Sequence, residues 1–232
     1  DNVRIIDAND VNYQIDGITA YEWREELDNW KEDVEFTMNY TQVQDLSVIM
    51  VLDESASLGE DFEKVKQYAS SFITNVLAEI PNARIGIVDF ADEIHTFPAT
   101  NNKTALINYI ASLQQGPFTT LYESVNVGID MLEDMDAEAK VLLVFTDGTD
   151  NNSDPEFTPT YILDRLNNTT SDVKITSFTI GLEGKGGVDK PVLTEMAANG
   201  GSAAFPKNAD ELGKVFLKFS SSIANVYNLT YV

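Results

Sequence analysis

Three separated stretches of this sequence carry oxygen donors of the kind that hold a hard cation. Asp53-Glu54-Ser55-Ala56-Ser57 follows an apolar run and offers one carboxylate and two hydroxyls at alternate positions of a turn, all directed at one point. Such oxygens suit Mg²⁺ or Mn²⁺ better than a soft metal. Taken alone the string is weak evidence, because Asp and Ser also cap helices, and Ser57 has an alternative role as cap of a helix starting near Glu60. A further carboxylate stands in Thr146-Asp147-Gly148, directly after another apolar run, and the loop Pro117-Phe118-Thr119-Thr120-Leu121-Tyr122 lies between. Together these stretches supply two carboxylates and three hydroxyls. Mg²⁺ takes about six oxygens and usually keeps some waters, so such a set leaves positions open to a carboxylate from another molecule.

Convergence of these stretches requires particular elements. Leu46–Leu52 is continuously apolar and ends in a polar turn, the pattern of a strand buried on both faces. Glu60–Ile80 carries Phe62, Val65, Ala69, Phe72, Ile73, Val76 and Ile80 at three- and four-residue spacing, which predicts a helix that Pro81 and Asn82 stop. Ala83–Phe90 reads as a strand and Glu93–Phe97 as a short edge strand. Thr104–Leu113 and Leu121–Leu132 read as helices, Val141–Phe145 as a strand, Thr160–Leu166 as a helix and Val173–Ile180 as a strand. Pro191–Ala198 predicts a helix, Ala203–Phe205 a short strand and Asp210–Tyr227 a last helix. This alternation predicts an α/β fold, a doubly wound and mainly parallel Rossmann-like sheet with helices on both faces and one short antiparallel edge strand. In such sheets ligands sit beyond the carboxyl ends of the strands, where strand order reverses. Asp53 and Asp147 stand at that kind of position.

Residues 1–45 differ, being rich in Asp, Asn and Glu with short apolar alternations, and 228–232 continue a strand-like run. The expected organisation is an N-terminal β-like extension over 1–45, a main domain over 46–227 and the start of a C-terminal strand over 228–232. The two end segments are expected to pair as β-strands; the alternative is that they are edges of neighbouring β-domains.

The order of strand–DESAS, then TTLYES, then VFTDG resembles the von Willebrand factor A domains, whose metal-ion-dependent adhesion site uses D-x-S-x-S, a threonine in a T-x-L-Y-like segment and the Asp of a D-G turn. The resemblance covers roughly Leu46 to Tyr227. It implies metal ligation by Asp53, Ser55, Ser57, Thr119 and Asp147, the last often through a water, with Thr120 as the fallback for Thr119. Ala56 and Leu58 depart from the commoner Gly and Met, and neither side chain is a ligand. The implied function is a metal-dependent adhesion or protein–protein interaction module, not an enzyme. Its divalent cation, Mg²⁺ with Mn²⁺ and Ca²⁺ as alternatives, takes an Asp or Glu carboxylate from a protein partner. The family also includes members that switch by moving the last helix.

Composition narrows the alternatives. Lys+Arg number 15 against Asp+Glu 38, a net charge of −23, which repels nucleic acid and anionic membrane surfaces. No run approaches the roughly 18 apolar residues of a membrane-spanning helix. The absence of cysteine excludes disulfides, thiolate metal sites and cysteine nucleophiles. The expected location is extracellular, cell-surface or periplasmic, in an exported bacterial or archaeal protein. His95 is the lone histidine and reads as a surface or half-buried structural residue. Asp89 and Asp92 read as solvent-facing or turn-capping, with added negative potential near the metal as the alternative. The loop Gly181–Gly187 fits neither dinucleotide nor P-loop consensus. A Mg²⁺-dependent hydrolase is the competing class, with Glu54 or Asp150 as its base. A non-catalytic subunit of an ATPase- or chelatase-type assembly is the third.

Overall fold

A computed structural model describes residues 20–24, 29–33, 38–183, 187–224 and 227–231 of the 232. The chain divides into two compact units, one drawn from 1–43 and 225–232, the other Gln44–Ala224. In the first, β1 (Ala20–Arg24) pairs antiparallel with β2 (Asn29–Asp33). There too β3 (Met38–Gln42) pairs antiparallel with β10 (Tyr227–Tyr231), Met38 opposite Tyr231 and Gln42 opposite Tyr227. The pairing expected of the two end segments is this second ladder. The remainder of the expected N-terminal extension lies outside the described residues.

The second unit is built on a six-stranded sheet. Its order is β6 (Ile94–Thr100), β5 (Arg84–Phe90), β4 (Leu46–Asp53), β7 (Ala139–Thr146), β8 (Ile175–Gly181) and β9 (Ala203–Ala204). All neighbours run parallel except β5 and β6. All eight residues of β4 are buried, which explains why only Ser47 interrupts its apolar run before Asp53. Pro98 is tolerated because β6 is an edge strand. This is the doubly wound, mainly parallel α/β sheet with one antiparallel edge that the alternation predicts.

Successive strand residues face opposite sides, so β4 divides its side chains between two helical layers. Ile49 and Val51 join Leu142 and Val144 of β7 beneath α3 (Leu121–Glu133), α4 (Pro159–Asn167) and α5 (Lys190–Met196). On the other face α1 (Phe62–Glu79) packs against α6 (Ala209–Ala224) and α2 (Lys103–Ser112). There Phe216 meets Phe72 at 6.3 Å and Phe145 at 6.0 Å between ring centroids. Among the described residues no helix is long and apolar enough to cross a membrane.

Several element boundaries shift by a few residues, and two of the shifts have a clear cause. The first helix starts at Phe62 rather than Glu60, because Ala56–Asp61 forms a 3₁₀ segment with Gly59 at φ 51. That left-handed conformation interrupts an α-helix and suits glycine. The last helix ends at Ala224, and Tyr227 opens β10 instead of closing the helix. The β-branched and aromatic alternation of the C-terminal run favours a strand once β3 offers a partner.

The sheet order reverses between β4 and β7: the chain leaves β4 towards β5 and β6, then builds outward from β7 to β8 and β9. Asp53 closes β4 and Asp147 follows β7, so both stand at the switch point. The depth of α3 over this region is set by Gly128, where a β-carbon would sit 2.9 Å from Val51 Cγ2 and 2.9 Å from Leu142 Cδ1. Gly128→Val should lift the helix and cost about 1–3 kcal/mol, seen as a lower urea midpoint at unchanged slope.

Candidate metal centre

Asp53, Ser55, Ser57 and Asp147 come together beyond β4 and β7. The Ser55 backbone N–H donates to Asp53 Oδ1 at 2.7 Å, closing the turn on its own carboxylate. The Thr146 hydroxyl donates to Asp53 Oδ2 at 2.6 Å, tying the ends of the two strands together. Asp147 Oδ1 accepts from the Ser57 hydroxyl at 2.7 Å and from the Ser55 hydroxyl at 3.3 Å, and the two serine oxygens are 2.8 Å apart. Ser57 thus turns towards Asp147, and the turn shows no side-chain cap bond.

Thr119, from the third loop, lies beside Gly148, the residue after Asp147. Its buried side chain lies over the D-G turn, where a β-carbon added at Gly148 would be 3.4 Å from Thr119 Oγ1. The loop is pinned by a reciprocal pair: Thr119 N–H donates to Asn151 Oδ1 at 2.9 Å, and Asn151 N–H donates to the Thr119 carbonyl at 3.0 Å. Thr120 is engaged elsewhere. Its hydroxyl donates to the Ala91 carbonyl at 2.6 Å and accepts from Asn152 Nδ2 at 2.9 Å, which removes it as the fallback donor. Asp150 is also occupied: Oδ2 accepts from Tyr122 N–H at 2.9 Å and from the Ser153 hydroxyl at 2.5 Å, capping the first turn of α3.

Electrostatically the pair is under strain. Asp53 is 1% exposed, and burial pushes its carboxyl up to about 6, against the hydrogen bonds from Ser55 and Thr146 and with a further push from Asp147. Burial likewise raises Asp147, opposed by the Ser57 and Ser55 hydroxyls. Among the described residues neither carboxylate has a basic partner. Buried unpaired carboxylates are costly, and a bound cation is one of the few groups that relieves two at once. Two carboxylates and nearby hydroxyls, all hard oxygen donors, fit a divalent ion of that kind.

A second cluster escapes the sequence reading. Asp89, expected to face solvent or cap a turn, is buried, and its Oδ1 accepts from the Tyr109 hydroxyl at 2.6 Å. Across the β5–β6 ladder it stands opposite His95, whose Nδ1 is 3.5 Å from Asp89 Oδ2. The correction follows from register: Asp89 pairs with Leu52 of β4 and shares its face of the sheet, under α1 and α2. Glu54 joins Asp89 and His95, the three offering donor atoms within 4.8 Å of one another. Burial first, then the Asp89 charge, pushes Glu54 up to about 7. Sequence spacing alone did not show this, because the cluster exists only once β6 folds back along β5.

With this geometry in place, comparison decides the family: the profile of the von Willebrand factor type A domain matches residues 47–218. The chain belongs to that family. Proximal thread matrix protein 1 of the mussel byssus, with a zinc-occupied MIDAS motif, superposes on this von Willebrand factor type A domain with a TM-score of 0.66 at 15% identity, over 84% of this chain and 50% of that one. A von Willebrand factor type A protein from Catenulispora acidiphila gives 0.63 at 12% identity, over 81% and 50% respectively. The corresponding domain of the type V pili tip protein Mfa5 from Porphyromonas gingivalis gives 0.58 at 13%, over 79% and 96%. The chain therefore spans about half the length of the first two relatives and nearly all of the third. No curated protein sequence matches it.

Proposed function

We propose that this domain is a metal-dependent protein-interaction module in which Asp53, Ser55, Ser57, Thr119 and Asp147 hold a divalent cation, Mg²⁺ ahead of Mn²⁺ or Ca²⁺. The ion would supply a local positive charge with an open coordination position for an Asp or Glu carboxylate of the partner. One observation carries this reading: two buried carboxylates without a basic partner are gathered with serine hydroxyls at the switch point of the sheet. The protein's own contribution is to hold those donors in place through Thr146 and Asn151.

The rim of the site adds an apolar contact. Phe118, next to Thr119, is 49% exposed, one of few large hydrophobic side chains left open among the described residues. An aromatic side chain beside a charged anchor is a common arrangement at interaction hot spots. Support for an interaction role in an extracellular setting also comes from the relatives named as a pilus tip protein and a thread matrix protein.

Hydrolysis is the weaker reading because neither base suggested for it is grouped with Asp53 and Asp147. Glu54 belongs to the cluster with Asp89 and His95, and Asp150 caps α3. The deciding experiment is partner capture from surface or matrix extracts in Mg²⁺, repeated in chelator and with Asp53→Ala. Capture should disappear in both. Capture that survives both treatments would contradict ion-bridged binding. Phe118→Ala should weaken capture by about 1–2 kcal/mol, roughly 5–30-fold, while leaving stabilisation by Mg²⁺ unchanged.

A further inference from the structure

We propose that Glu54, Asp89 and His95 form a second cation site, one that takes a borderline transition ion such as Zn²⁺ in preference to Mg²⁺. It lies on the sheet face opposite Asp53 and does not depend on the function proposed above. Its starting observation is Glu54, which is 6% exposed and whose Oε2 has no hydrogen-bond partner. A carboxylate oxygen shut away from water with nothing bound to it is costly, and such atoms call for a ligand. Glu54 lines an open cleft together with Asp89, His95, Tyr109 and Gln115.

The other two donors are already arranged for an ion. The Tyr109 hydroxyl holds Asp89 Oδ1 at 2.6 Å, which fixes the carboxylate and leaves Oδ2 towards His95. In a tetrahedral zinc site with bonds of ~2.0–2.1 Å, neighbouring donors lie ~3.3 Å apart. His95 Nδ1 and Asp89 Oδ2 stand at 3.5 Å, close to that spacing. All three donors lie within 4.8 Å of one another, so side-chain movement alone brings Glu54 into range. His95 Nε2 is 3.5 Å from Glu93 Oε2. A metal-bound imidazole usually donates its other N–H to a carboxylate in this way. The nitrogen donor sets the selectivity: an imidazole with two carboxylates suits zinc, whereas magnesium favours oxygen alone and gives up its waters reluctantly. Three protein ligands facing an open cleft leave one position for water.

His95 is the sole histidine, so its ring resonances in tag-free protein report on this site without ambiguity. Zn²⁺ is titrated at saturating Mg²⁺, which keeps any oxygen-only site filled, and the ring ¹⁵N signals are followed by NMR. One equivalent of Zn²⁺ should shift them. Glu54→Gln and Asp89→Asn, both near-isosteric, should each weaken zinc affinity by at least about tenfold. Asp147→Ala should leave it within about twofold, as expected for an independent site. Ring signals that do not move would overturn the proposal. So would signals that move alike in wild type, Glu54→Gln and Asp89→Asn, which marks a histidine picking up zinc alone. Loss of the zinc response in Asp147→Ala would assign the ion to the Asp53 group and equally end it.

Discussion

Asp147→Ala should remove the stabilisation by Mg²⁺ completely while leaving the metal-free protein folded. An ion present at 100 times its dissociation constant stabilises a protein by about 2.7 kcal/mol. For a domain of this size that is a rise of roughly 5–10 °C in melting temperature. The wild type should show that rise and the variant none. Asp147 is the acceptor for both the Ser55 and Ser57 hydroxyls, so its loss dismantles the donor group without touching the sheet. In chelator the variant should melt no lower than wild type, because truncation removes one of two buried like charges. Thermal scans of both proteins with Mg²⁺ and with chelator check this. An equal Mg²⁺-induced rise in the variant would place the stabilising ion somewhere other than Asp53 and Asp147.

The metal-free protein should lose stability as pH rises from about 4 to 7. Asp53 holds its proton up to about 6 in the folded chain, against 3.8 ordinarily, and Glu54 up to about 7 against 4.5. Both are raised, so the folded state binds more protons than the unfolded chain between those limits, and stability falls with pH. The stabilising effect is complete below the ordinary values and gone above the folded ones. Asp53 alone accounts for roughly 3 kcal/mol. Asp147 and Asp89 are raised by burial and act in the same direction. Melting temperatures in chelator should therefore fall across this range, and saturating Mg²⁺ should flatten the fall. Asp53→Asn should also flatten it and raise the melting temperature at pH 8, since the Thr146 hydroxyl can reverse to accept from the new amide. A metal-free wild type that gains stability between pH 5 and 8 would contradict this account of the buried carboxylates.

The fold is legible because β4 and β7 are buried on both faces and carry the apolar runs Val48–Leu52 and Val141–Phe145. The polar residues that end such runs can only be at the sheet's carboxyl edge, and Asp53, Ser55, Ser57 and Asp147 meet there. What the sequence hid depends on pairing between strands. Asp89 looks like any acid near a turn until β5 is set beside β4 and His95 folds back opposite it. Asn151 and Asn152 were equally invisible: they position Thr119 and Thr120 across more than thirty residues of chain, and no local pattern marks such a contact. The helix start at Phe62 is not legible in the sequence, because Gly59 adopts a left-handed conformation that residue type permits but does not demand.

The end of β4 has a consequence for how charge and matter are separated in this protein. Asp53 and Glu54 are adjoining residues, their Cα atoms ~3.8 Å apart across one peptide unit, yet Asp53 joins Thr146 and Glu54 joins Asp89 and His95. The charge on Asp53 bears on the proton affinity of Glu54, but burial and the Asp89 charge weigh more. One strand end thus carries two kinds of chemistry on adjoining residues, coupled only weakly through their charges.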